Sequence, residues 1–317
     1  MRRHFTLIAL ALAVSGSGCA SPDGPPAPTA EVATLLAVLP AQAPMVFGLD
    51  LARLRQTAAW QAHATALRAL APQIAAVQAA CGLDLADRID RIVASAGGDG
   101  ADRDGAIAVI KGRFDEAKVA SCATALIRRL GDQAAITSDG KLTTYSARKR
   151  DEALLLLWTA PDTVALAPGA IGDGAPLRRL LGDPAPPAPA LAALLAEVDT
   201  RSILWGAGAL PALARDQMKG MGYVPDGFFF AVDLPGDVEL RFSLRYPDEQ
   251  AAMSSAKLFK VAVEQIKEKP PLPQLAGMLA RAKISYAGRT VRLAATLTLE
   301  QVAALRAMAS DFAATLN

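Results

Sequence analysis

The sequence predicts an α+β fold, made of two related repeats of mainly antiparallel sheet packed by helices, after a signal peptide and a Pro-rich tether. Three observations carry this. From Val238 to Tyr246 apolar and polar residues alternate, with Val238, Leu240, Phe242, Leu244 and Tyr246 on one face and Glu239, Arg241, Ser243 and Arg245 on the other. Period-two alternation marks a half-buried strand of an antiparallel sheet. Stripes at steps of three and four, Leu67, Leu70, Ile74, Val77 and Cys81, and then Leu299, Val302, Leu305, Ala309, Phe312 and Leu316, mark helices that pack on a sheet. Finally, two segments are alike: Arg113-Phe114-Asp115-Glu116 leading to Ser121-Cys122-Ala123, and Arg245-Tyr246-Pro247-Asp248-Glu249 leading to Ser254-Ser255-Ala256. The spacing from the Asp is the same in each, which predicts a duplication.

In chain order, Arg2 and Arg3 precede an apolar run, Phe5 to Val14, and the small residues Ser15 to Gly18, then Cys19. This is the pattern of a signal peptide over residues 1–18. A run of ten residues is too short to cross a bilayer as a helix, which takes about 20. Residues 19–35 form the tether. Pro25, Pro26 and Pro28 favour extended chain with a reach of about 3 Å per residue.

The first repeat, residues 36–182, opens on the strand Val46-Phe47-Gly48-Leu49. It continues through the apolar run Ala106 to Phe114 and a hairpin from Ile136 to Ala147 around Asp139-Gly140, a dipeptide that tolerates a tight turn. Ala153 to Thr159 and Thr163 to Ala167 flank Pro161-Asp162 as a second hairpin. The Pro-rich stretch 183–190 is the linker, and the second repeat is 191–317. Its strands include Ile203-Leu204-Trp205-Gly206 and a hairpin turning at Ala287-Gly288-Arg289. The repeat unit reads strand, helix, strand, helix, hairpin, and the Asp-Glu pairs cap the helices that follow the Arg-aromatic strands.

Removing Arg2 and Arg3 from the 33 basic side chains leaves as many as the 31 acidic ones, so the mature chain is neutral. Nucleic-acid binding draws on clustered positive charge. The one cluster, Arg148-Lys149-Arg150, reads as a solvated loop. His63 is the only histidine after residue 18, and it continues an apolar helical stripe, so it reads as a packed residue; Ser-His-Asp and His/Cys zinc chemistry have no foothold. Asp99, Asp102 and Asp104 sit among glycines, but Gly100 and Lys111 occupy the positions where a calcium loop needs its first Asp and closing Glu. There is no phosphate-cradling loop and no dinucleotide fingerprint, and no cofactor is expected.

Cys81 and Cys122 are expected to form a disulfide, the natural use of an even pair in an oxidising compartment. Phe228-Phe229-Phe230 predicts a strand buried on both faces, and Phe228 and Phe230, on one face, are the candidate surface for an apolar ligand or partner.

Ser17-Gly18-Cys19 resembles the bacterial lipobox, although Gly16 stands where that family carries Leu or another aliphatic residue. The resemblance implies cleavage before Cys19, lipid on its thiol and attachment to a membrane. Ala20 stands where Asp tends to retain such proteins in the inner membrane, which favours the outer membrane. The whole pattern resembles uncharacterised lipoproteins of GC-rich bacteria. It implies a non-catalytic envelope protein that binds or scaffolds a protein partner; the alternative is a carrier or chaperone for lipid or apolar segments.

Overall fold

The computed structural model describes residues 27–69, 78–82, 84–96, 106–129, 134–139, 142–147, 152–170, 186–210, 215–216, 218, 223–268, 281, 283–298 and 300–301. The signal segment, Cys19, the Asp99–Asp104 turn and the Arg148–Arg150 triplet lie outside them, as do the C-terminal stripe beyond Gln301 and the Leu70–Val77 part of the central one. Twelve strands form a single open sheet, antiparallel at every pair whose register is defined.

This corrects the expectation of two related repeats of mainly antiparallel sheet packed by helices. The chain does divide into two compact units, Ala27–Ala193 with Asp199–Gly206, and Leu194–Val198 with Ala207–Asn317. The first holds seven strands and the second is built on five, and the strand-helix-strand-helix-hairpin order is not kept in either, since each has a further strand, Ile89–Ala96 or Gly227–Asp233, before its Arg-aromatic strand. The short likeness around the two Asp-Glu pairs reflects a shared local task, because each Asp caps a helix. Asp115 Oδ1 accepts from Lys118 N at 2.9 Å and Asp248 Oδ1 from Ala251 N at 2.7 Å.

In the first unit the strands are β1 (Met45–Asp50), β2 (Ile89–Ala96), β3 (Ile107–Gly112), β4 (Ala134–Asp139), β5 (Leu142–Ala147), β6 (Glu152–Ala160) and β7 (Thr163–Ala170), in spatial order β1-β2-β3-β7-β6-β5-β4. Both hairpins take the registers their turns imply, Asp139 opposite Leu142 and Ala160 opposite Thr163.

Helices cover both faces. On one, α1 (Ala30–Ala37) buries Val32, Leu35 and Leu36, with Thr29 Oγ1 accepting from Val32 N at 3.3 Å as its N-cap. It begins within the last residues of the tether, where the prolines have ended. Val93, Val109 and Ala165, adjacent in register on that face, are wholly buried; each valine contributes roughly 1.5–3 kcal/mol. Short helices α2 (Leu51–Arg55), α3 (Ala58–Ala69) and α4 (Leu85–Arg88) link β1 to β2. On the other face α5 (Glu116–Arg129) sets Val119, Ala123 and Ile127 against Ile110, Tyr145, Leu156, Trp158 and Val164.

The short helix α6 (Pro189–Leu195) follows in the chain. The second unit is built on β8 (Leu204–Ala209), whose first half belongs to the other unit, β9 (Gly227–Asp233), β10 (Val238–Arg245), β11 (Lys283–Ala287) and β12 (Thr290–Leu297), in the order β8-β9-β10-β12-β11. The long helix α7 (Glu249–Glu268) turns Ala251, Ala252, Ser255, Ala256 and Val263 inward. β10 departs from simple alternation. Ser243 is buried, and Arg245 on the same face pairs with Glu197 at 3.7 Å while Thr290 Oγ1 donates to the same carboxylate at 3.1 Å, so both faces are covered at that end.

Candidate functional site

Cys81 and Cys122 are joined. The geometry is set locally at both ends. Residues 78–81 are helical and stop at Gly82, whose φ of +64° is left-handed and whose N–H donates to the Gln78 carbonyl at 2.8 Å. A residue with a Cβ adopts that conformation only at a cost, which is why glycine ends the helix there. Cys122 lies on the inner side of α5 and is buried. The bridge therefore ties the segment after α3 to the helix on the sheet's second face, closing a loop with a sequence separation of 41.

Phe228 and Phe230 are also brought together, ring centroids 6.4 Å apart and nearly parallel, and Phe242 of β10 lies 6.3 Å from Phe228. Phe228 and Phe229 are buried on opposite faces and Phe230 is half-buried. Phe228 and Phe229 are thus core on opposite sides of β9, with Phe230 half-exposed beside Phe228. Directly after β10 comes Tyr246, which is fully buried. Among the described residues its hydroxyl has no hydrogen bond of normal geometry. Burial pushes the phenol above its ordinary pKa of 10.0, and the Ser255 hydroxyl beside it opposes that in part.

A further constellation arises from strand register alone. Asp50 of β1 stands opposite Arg91 of β2, Arg91 opposite Lys111 of β3, and Lys111 opposite Thr163 of β7. These residues share the face that α1 covers, and Glu31 of α1 reaches down between them. Arg91 Nη2 pairs with Asp50 Oδ2, Arg91 Nη1 with Glu31 Oε2 at 2.9 Å, and Lys111 Nζ with Glu31 Oε1 at 3.2 Å and Asp162 Oδ2 at 3.6 Å. Asp50 is buried and its other oxygen accepts from Arg53 N at 2.8 Å, capping α2. The hydrogen bond to Glu31 holds the Lys111 ammonium above its ordinary pKa of 10.5 against the opposing effect of burial, and the charges of Glu31 and Asp162 add to it.

Beside this chain of ion pairs lies a cleft of about 470 Å³, walled by Leu35 and Val38 of α1 and by Thr159, Ala160 and Thr163 at the β6–β7 turn. Each polar side chain lining it has a protein partner: Lys111 pairs with both Glu31 and Asp162, Thr34 Oγ1 donates to the Ala30 carbonyl, Thr159 Oγ1 to the Thr163 carbonyl and Thr163 Oγ1 to Asp162. A group acting as acid, base or ligand here would first have to give up one of these bonds. What the arrangement does as it stands is fasten α1 to the sheet.

Little in the sequence signals this cluster. Asp50 and Lys111 each close an apolar strand, a position usually left to solvent, and Glu31, Asp50, Arg91, Lys111 and Asp162 are far apart in the chain until the register unites them. Among the described residues no group of His, Cys, Asp and Glu is placed to hold a metal ion, and no helix is long and apolar enough to cross a membrane. No family model, curated protein or solved structure matches the chain.

Proposed function

We propose that the chain is an exported bacterial lipoprotein, cut before Cys19 and anchored through lipid on that thiol, whose folded body binds or scaffolds another envelope protein and catalyses no reaction. The Cys81–Cys122 disulfide carries this reading, because such bonds persist in oxidising compartments and are rare where thiols are kept reduced. The lipobox-like residues before Cys19 supply the address, and the neutral charge of the mature chain fits a protein partner better than a polyanion. The polar groups lining the cleft are paired with one another or with backbone, so a reaction there would first have to break those bonds.

Two measurements test it. Metabolic labelling with a radioactive fatty acid should mark the full chain and fail to mark Cys19→Ala; labelling that survives the substitution sinks the anchor. Crosslinking in intact envelopes followed by mass spectrometry should return one reproducible protein partner, and its absence would count against the binding role.

A further inference from the structure

A helix that packs on a sheet turns its large apolar residues inward. α7 departs from this near its middle. The residues it buries there are small, Ala252, Ser255 and Ala256, while Leu258 and Val261 stand 52% and 56% exposed, the highest values of any large apolar side chain among the described residues. Residues three apart on a helix are neighbours on its surface, so the two form one patch rather than two scattered exposures.

Positive charge frames that patch. Lys257 precedes Leu258, Lys260 precedes Val261, and both lysines are exposed. Among the described residues neither has an ion pair; the acid nearest in sequence, Glu264, accepts instead from Lys267 Nζ at 2.7 Å. The two surfaces that could take such a patch differ in how they treat lysine. Protein interfaces are depleted of it. An anionic lipid surface draws it in, because the alkyl stem lies along apolar groups while the ammonium stays among the phosphates.

We propose that Lys257, Leu258, Lys260 and Val261 of α7 dock on an anionic lipid surface. The two apolar side chains enter the boundary between headgroups and acyl chains, and the two ammonium groups pair with lipid phosphates. So small a patch holds weakly by itself. The inference therefore rests on the proposed lipid anchor, which makes the second contact intramolecular and raises its effective concentration.

The test uses the full chain carrying Leu258→Trp, in vesicles of phosphatidylcholine alone or in equal mixture with phosphatidylglycerol, with dibrominated acyl chains as quencher. Quenching of the new indole, above that of the 3 native tryptophans in the parent chain, should appear in the anionic vesicles and fade in the neutral ones. Lys257→Gln with Lys260→Gln should lower the ratio of docked to undocked chain about 25-fold, at about fivefold per basic residue near a charged surface. High salt should weaken docking in the same sense. Quenching absent from the anionic vesicles, or unchanged by the two glutamines, overturns the proposal. So does a new indole already blue-shifted without vesicles, which would show the patch covered by the chain itself or by a second copy. Pelleting with neutral vesicles reads the anchor separately. A chain left in solution there lacks the anchor, and docking then stands if anionic vesicles pellet it and the two glutamines abolish this, and falls otherwise. Should Leu258→Trp fail to fold, Val261→Trp takes its place.

Discussion

Gly48 in β1 is placed where a side chain cannot go. It is opposite Val93, which is wholly buried, and a methyl group built on it would overlap the indole of Trp205, itself 2% exposed. Gly48→Ala therefore forces the largest fully buried side chain out of its place. Overpacking a core of this kind costs about 1–3 kcal/mol, and Trp205→Ala, which empties the space, should cost about 3–5 kcal/mol. The two changes compete for one volume, so they should not add. In the Trp205→Ala background the new methyl fills part of the void and replaces a glycine in a strand interior, so Gly48→Ala should cost nearly nothing there. The coupling is then about 1–3 kcal/mol. Urea unfolding of the four proteins, compared at equal m-values, measures it directly. Costs that add to within about 0.5 kcal/mol would show that the indole and the glycine do not share space, and would refute the packing argument.

Replacing both Cys81 and Cys122 by Ala should cost about 4 kcal/mol, the chain entropy released by opening a loop of that size, and a reductant should lower the urea midpoint of the parent protein by a similar amount. Tyr246→Phe should leave stability unchanged at pH 7 or raise it by up to about 1 kcal/mol, since it removes a buried hydroxyl that lacks a normal hydrogen bond; a loss above about 1.5 kcal/mol would mean the hydroxyl is paired. The same variant tests the alkaline limb. A phenol whose folded pKa lies above 10.0 contributes stability that is complete below that value and lost as pH rises through the folded one, so Tyr246→Phe should flatten the fall in stability above pH 10. Lys111 behaves in the same sense from 10.5. Lys111→Met should cost less than about 1 kcal/mol at pH 7, because Glu31 and Asp162 are 40% and 53% exposed, and should remove part of the decline above pH 10.5 seen by urea unfolding.

What was legible in the sequence was local. Hairpins announced by Asp139-Gly140 and Pro161-Asp162, the capping roles of Asp115 and Asp248, the two-sided burial at Phe228 and Phe229, and the pairing of Cys81 with Cys122 each depend on residues near one another or on counting. β2 escaped notice because Asp90 and Arg91 interrupt its alternation; Asp90 instead binds Arg55, whose Nη1 also donates to the Ala86 and Ile89 carbonyls at 2.7 and 2.6 Å. A two-repeat reading failed for a related reason. It weighed resemblance between short segments, whereas membership of one sheet is decided by backbone pairing, which leaves no mark in side-chain type.

The ion-pair row shows how far such pairing reaches. Asp50 and Lys111 stand at the ends of strands where the chain leaves the sheet, and Arg91 lies between them, so the row marks the boundary at which apolar packing stops and α1 must be held by charge. Ionic groups so placed cost desolvation that only mutual pairing offsets, and removing Arg91 would leave Asp50 buried without its partner. The cleft follows from that fastening: it is the space left where α1 crosses the β6–β7 turn, and its polar groups are committed to holding the helix. With the polar groups of this cleft committed, exposed side chains among the described residues are left for recognition. Ile136 on β4 and Leu154 on β6, both exposed, are therefore where partner contacts should first be sought.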